Sequence, residues 1–125
     1  MKLKPYPEYK DSGVEWIGDI PEGWESFKIK LLGQFKNGNG FPESLQGNEH
    51  GDIPFLKVSD INDPKSIFVD SSNNFVSLKT AAENKWNIIE ENSIIFPKIG
   101  EAINKNHRKI NDKEIIIDNN LSAFL

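Results

Sequence analysis

Residues 93–125 read SIIFPKIGEAINKNHRKINDKEIIIDNNLSAFL, and how this stretch divides decides the fold. SIIFPKIG (93–100) is β-branched and aromatic up to a glycine and reads as a buried strand. After a bend at Gly100, Ala102 to Ile110 is predicted to continue as a second, more polar strand. EIIID (114–118) and LSAFL (121–125) supply two further strands. From Lys98 to Lys113 it gathers Lys98, Lys105, Arg108, Lys109 and Lys113 against Glu101 and Asp112, in a chain whose net charge is −4.

Working outward, IPFLKVSDI (53–61) and SIFVD (66–70) also have strand character. SLKTAAENKW (77–86) has a polar cap and helix formers, with Leu78, Ala82 and Trp86 spaced to share one helix face. WESFKIKLLGQF (24–35) fits a short strand or a single helical turn. KNGNGFPESLQGNEHGD (36–52) is rich in Gly and Asn and reads as a long loop. Residues 1–23 read as an arm, because PYPEYKDSG and GDIPEGW favour turns and extended chain. Trp16 and Trp24 bracket an expected turn at Ile20-Pro21 and are expected to pin the arm by burying aromatic surface. The predicted class is therefore α+β, mixed and mostly β, with one or two short helices. The arm (1–23) leads into one domain (24–125), read as partial because the chain stops inside an apolar strand-like run.

Composition bounds the function. At 125 residues there is room for one core, and 37% hydrophobic residues with eight Phe and three Trp suffice to pack it. No apolar run approaches the about 20 residues of a membrane-spanning helix, so no membrane partner is expected. The N-terminal segment lacks the apolar run of a secretion signal. The absence of cysteine excludes disulfides and zinc–thiolate sites and permits a cytoplasmic location. An acidic balance weighs against an indiscriminate nucleic-acid binder but allows a local basic face.

Signatures of chemistry are sparse. NGNG (37–40) lacks both the GK[ST] of a phosphate loop and the G-x-G-x-x-G spacing, so no nucleotide cofactor is expected. His50 and His107, the two histidines, have neither metal-ligand spacing nor a cysteine nearby, so no metal is expected. No G-x-S-x-G turn presents a nucleophile, and no catalytic residue is assigned. Glu83-Asn84-Lys85 has the E-x-K form that metal-dependent nucleases use, but it falls in the predicted helix, where a solvated face is the simpler reading.

The cationic segment differs in kind. Lysines neutralise phosphates, arginine can grip guanine O6 and N7, and asparagine can grip adenine N6 and N7. Asn104, Asn106 and Asn111 are interleaved with the cations. A bent strand pair would aim these groups outward while Ile99, Ile103 and Ile110 face the core. An ordinary polar hairpin tip is the structural alternative.

YPEYKDSGVEWIGDIPEGWE (6–25) brings in a family resemblance. Tyr6, Tyr9, Lys10, Ser12, Gly13, Val14, Trp16, Ile17, Gly18, Ile20, Pro21 and Trp24 match the opening pattern of specificity subunits of type I restriction–modification systems. GDIPFLKVSDI (51–61) and ENSIIFPKIGEAI (91–103) resemble strands of that family's target recognition domain. The resemblance covers essentially the whole chain but only part of the family's pattern, the N-terminal portion of the first recognition domain. It lacks the second domain and the long helices that dock methyltransferase subunits. It implies sequence-specific reading of double-stranded DNA through the major groove, without cofactor or catalysis. Methyl transfer and cleavage would belong to partner methyltransferase (M) and restriction (R) subunits.

Base-reading residues vary within such a family, so the positions expected here rest on chemistry. They are Lys57, Ser59, Lys98, Asn104, Lys105, Asn106, His107, Arg108 and Lys109, with Asn37 and Asn39 as weaker candidates. Lys57 and Ser59 would share the exposed face of one strand. Two other readings compete: a protein-interaction module using the Tyr and Trp residues of the arm, and a metal-dependent nuclease fragment using Glu83 and Lys85.

Overall fold

A computed structural model describes residues 5–69 and 71–125. The chain divides into two compact units, one reaching to Leu32 and one running Gly33–Leu125, so residues 24–32 fall with the arm. The first unit carries an antiparallel pair, β1 (Tyr9–Asp11) and β2 (Asp19–Pro21), with Lys10 opposite Ile20. Ile20-Pro21 therefore lies in a strand; the reversal is made earlier. Gly13 and Gly18 adopt φ of 78° and 72°, the Asp11 carboxylate accepts the Gly13 N–H at 2.9 Å, and Ser12 N–H bonds Gly18 O at 3.0 Å. A 3-10 turn follows at Ile29–Leu31.

The first unit does not itself bury the indoles of the arm. Trp16 is 86% exposed, and Trp24 is also exposed, set edge-on to Tyr6 with centroids 5.6 Å apart. A two-stranded ribbon has no second layer in which to sink an indole.

Among the described residues the second unit holds two sheets and is mostly β with two short helices, in keeping with the mixed, mostly-β class expected from its strand-like segments. Its strands are β3 (Phe35–Asn37), β4 (Ile53–Leu56), β5 (Phe68–Val69), β6 (Phe75–Val76), β7 (Ile94–Pro97), β8 (Lys109–Asn111), β9 (Ile116–Ile117) and β10 (Leu121–Phe124). The larger sheet runs β3-β10-β7-β8-β5, antiparallel except for the β5–β8 pair. The smaller runs β6-β4-β9, with β4 and β9 parallel.

The triple isoleucine explains how one core divides in two. Successive strand side chains point to opposite faces. Ile115 and Ile117 join Leu56, Ile61, Val69, Ile89, Ile95, Leu121 and Ala123 in one cluster. Ile116 points the other way, with Ile53, Phe55, Val76 and Ala81. An unbroken apolar run is what a strand covered on both faces requires. In the second cluster Phe41 stacks on Phe55 at 3.7 Å and Trp86 meets Phe55 edge-on at 5.0 Å.

Several boundaries depart from the sequence reading. The strand expected over 53–61 stops at Leu56, because Val58–Ile61 forms a 3-10 turn. Asp60 closes that turn by accepting the Lys57 N–H at 2.8 Å, while the Ser72 hydroxyl donates to Phe55 O at 2.9 Å. The stretch expected to pair over 66–70 does so at Phe68–Val69; position 70 lies outside the described residues. Ser77 caps α1 (Leu78–Glu83), accepting Thr80 N–H at 3.0 Å. The buried alanine is Ala81, while Leu78 and Ala82 are exposed. Lys85 turns left-handed at φ 55°, so Trp86 leaves the helical phase and no shared face with Leu78 and Ala82 forms.

The largest departure is at 102–110. Gly100 bends at φ 73°, but Ala102–Lys105 then winds into α2, ended by Asn106 in the left-handed region. Strand pairing resumes only at Lys109. Ile99 and Ile103 are 52% and 48% exposed, so they do not anchor a ribbon from below; Ile110 is half-buried opposite Phe68. Among the described residues no helix is long and apolar enough to cross a membrane.

Candidate nucleic-acid interface

Residues 98–108 connect β7 to β8, which pair with Ile95 opposite Lys109. Within this connection Asn104, Lys105, Asn106 and Arg108 are exposed and His107 is half-buried. Arg108 donates from Nη2 to Asn106 Oδ1 at 2.7 Å. The left-handed turn at Asn106 thus sets an amide beside the guanidinium, whose other N–H groups keep their capacity for an acceptor. The cluster is built by a helical turn and its cap, not by a bent ribbon.

Lys98 stands at the root of the connection. Its N–H bonds Asn120 O at 3.0 Å, and its ammonium donates to Asn37 Oδ1 at 3.2 Å. Asn37 is the last residue of β3 rather than part of a loop, and the register sets it opposite Ser122. Ser122 in turn faces Phe96, so Asn37, Ser122, Phe96 and Lys98 share one face of the larger sheet. Phe35 and Phe124, 4.9 Å apart between centroids, continue that face.

Other expected positions are placed elsewhere. Lys57 is half-buried in the turn after β4, where its ammonium donates to Gln46 Oε1 at 3.0 Å. Ser59 is exposed but lies on the 3-10 turn, so the two do not alternate along a strand. Lys109 is only 5% exposed, and its ammonium is held by the carbonyl oxygens of Asp63 and Ser66. It ties down the 63–66 loop instead of facing solvent. Asn111, grouped by sequence with the cations, is fully buried. Its Oδ1 accepts Ser93 N–H at 2.9 Å, and its Nδ2 donates to the carbonyls of Glu90 and Lys113 at 2.7 and 3.0 Å.

Asn39 and the first glycine of NGNG have structural roles too. Asn39 N–H bonds Ile117 O at 2.9 Å, and Gly38 lies so close to β9 that a Cβ would come within 1.6 Å of Asp118 O. Asp118 is buried beneath this crossing. Burial raises its pKa above 3.8, against a lowering by the Asn120 N–H that it accepts at 2.8 Å and by the Lys57 ammonium. Glu83 and Lys85 do not form a site: Glu83 lies 3.9 Å from Lys79 across one turn, and Lys85 is beyond the helix end.

Sequence reading overlooked Asn87 and Ser122. Asn87 Nδ2 donates to Asn37 O at 3.2 Å, and Ser122 Oγ lies 2.9 Å from Asn37 Oδ1. No local pattern marks either, because their partners are 50 and 85 positions away.

The family model for the type I restriction modification DNA specificity domain matches residues 21–122. The chain is also similar to the type I restriction enzyme MjaIX specificity subunit of Methanocaldococcus jannaschii, 29% identical over 85 residues. That alignment covers 68% of this chain and 19% of the relative, so the chain corresponds to a small part of that protein's length.

Proposed function

The chain belongs to the type I restriction modification DNA specificity domain family, and we propose that it reads part of a double-stranded DNA target without catalysing a reaction itself. Partner methyltransferase and restriction subunits carry the chemistry, in the cytoplasm where the DNA is. The observation that carries this reading is the 98–108 connection: an otherwise acidic chain exposes Lys105 and Arg108 there, with Asn104 before Lys105 and Asn106 between the two cations. Lysine in this setting neutralises phosphates, and the preset Arg108 guanidinium offers paired donors to a base edge.

The test is a competition titration of the native complex against cognate and scrambled duplexes at several salt concentrations. Arg108→Ala should cost roughly 1–3 kcal/mol on the cognate duplex and little on the scrambled one. An equal loss on both makes Arg108 a phosphate contact, and no loss on either removes it from the interface.

A second reading applies to the first unit. Its exposed Trp16, Phe27, Leu31 and Leu32 suit a protein partner better than DNA, because apolar surface of this kind gains by desolvation and has no phosphate to meet.

A further inference from the structure

Asn37 has the geometry of a base-reading amide with its orientation locked. An ammonium can only donate, so the Asn37 atom 3.2 Å from Lys98 Nζ must be the carbonyl oxygen. Ser122 Oγ carries one hydrogen and has two acceptors in reach, Asn37 Oδ1 at 2.9 Å and Lys36 O at 3.4 Å. The shorter bond takes it. Both lone-pair sites of Asn37 Oδ1 are then filled from within the domain, and the Nδ2 amide hydrogens of this exposed residue are left to face outward. Lys98 keeps two N–H donors beyond the one it spends on Asn37.

The pair therefore offers donors only. Asparagine reads adenine by donating to N7 while accepting from N6, and an oxygen already filled twice cannot accept. In the major groove, guanine is the base that sets two acceptors, N7 and O6, side by side. We infer that Asn37 and Lys98, oriented by Ser122, form a guanine-selective contact that excludes adenine at one position of the DNA target. This rests on the DNA-reading function proposed above and adds a contact point at the root of the 98–108 connection, separate from Arg108.

Three strands make the lock rigid. Asn37 ends β3, Ser122 lies on the central β10, and Lys98 follows β7, so the amide is held across the β3-β10-β7 order. Asn87 Nδ2 also holds the Asn37 carbonyl at 3.2 Å. A fixed amide loses little side-chain freedom on binding and rejects the wrong edge by leaving donors facing donors.

Two substitutions separate the donor claim from a purely structural lock. Asn37→Asp keeps an oxygen for Lys98 and Ser122 but removes both amide donors. Lys98→Met keeps the stem and frees one lone pair on Asn37. The native complex and each variant are selected against a pool of duplexes with a randomised core, and thermal melting is recorded in parallel. The expected result is one guanine position in the wild-type motif at which Asn37→Asp loses preference by roughly tenfold or more. Lys98→Met should admit adenine at that same position. Unchanged base preference in a folded Asn37→Asp variant overturns the inference, as does a loss spread evenly over all sequences. Failure of the wild-type complex to enrich any motif would instead overturn the proposed function. If Lys98→Met lowers the melting temperature, Asn37→Asp, which retains the cross-strand bond, still decides the matter.

Discussion

At the scale of single residues, two buried polar groups show how this domain sets its surface. Asn111 uses every polar atom of its amide on backbone groups of residues 90, 93 and 113. Truncation would leave buried carbonyls and an N–H without partners, each costing about 1–3 kcal/mol. Asn111→Ala is expected to lose about 3 kcal/mol in urea unfolding; a loss below about 1 kcal/mol would show that water replaces the amide. Asp118 makes the opposite case. Its folded pKa is raised by burial, so the folded chain holds that proton more tightly than the unfolded chain. Its contribution to stability therefore falls as pH rises from about 3.8 through the raised value, and the penalty persists above it. Asp118→Asn keeps an oxygen for the Asn120 N–H and removes the titration. The variant should match or exceed wild type at neutral pH, its advantage fading in acid. A variant that is less stable at neutral pH would mean that Lys57 outweighs burial.

At the scale of elements, the NGNG motif illustrates why type and spacing mislead. It reads as part of a long loop, yet its two glycines have unlike surroundings. Gly38 lies against the backbone of Asp118, while a Cβ on Gly40 would meet nothing within 4 Å. Gly38→Ala should therefore cost about 3 kcal/mol or prevent folding, because backbone cannot yield as a side chain can. Gly40→Ala should stay within about 0.5 kcal/mol. Equal melting temperatures for the two variants would contradict the close approach of β3 and β9. Strand existence was readable in most of the apolar runs, since short β-branched segments bounded by turn residues have few other uses. α2 was not readable. Its four residues carry too little periodicity to register, and only the bend at Gly100 was visible beforehand. β6 was missed because two residues, Phe75 and Val76, fall below any pattern length. The parallel partnerships of β4 with β9 and of β5 with β8 join segments far apart in sequence, so no local signal specifies them.

At the scale of the whole molecule, two compact units present different surfaces. The unit reaching to Leu32 exposes Trp16 and Leu31, the latter at 70%. If that surface meets protein, the double substitution Trp16→Ala and Leu31→Ser should weaken assembly with the methyltransferase subunits at least tenfold, about 1.4 kcal/mol, while leaving base preference unaltered. Co-purification and motif selection measure the two effects separately, and unchanged assembly would remove the arm as a protein contact. By itself the sequence determined the mostly-β class, the family through its spaced Tyr, Gly and Trp positions, and the presence of a basic cluster late in an acidic chain. These follow from residue types and short spacings, which do not depend on distant partners. Tertiary structure alone decided which cluster members face solvent. Lys109 turns inward to the 63–66 carbonyls, Asn111 is spent as a staple, and Asn37 is carried across two strands to Lys98. Strand register and partners dozens of residues away choose the side to which each polar group turns, and the chemistry of a lysine or asparagine is the same on either side.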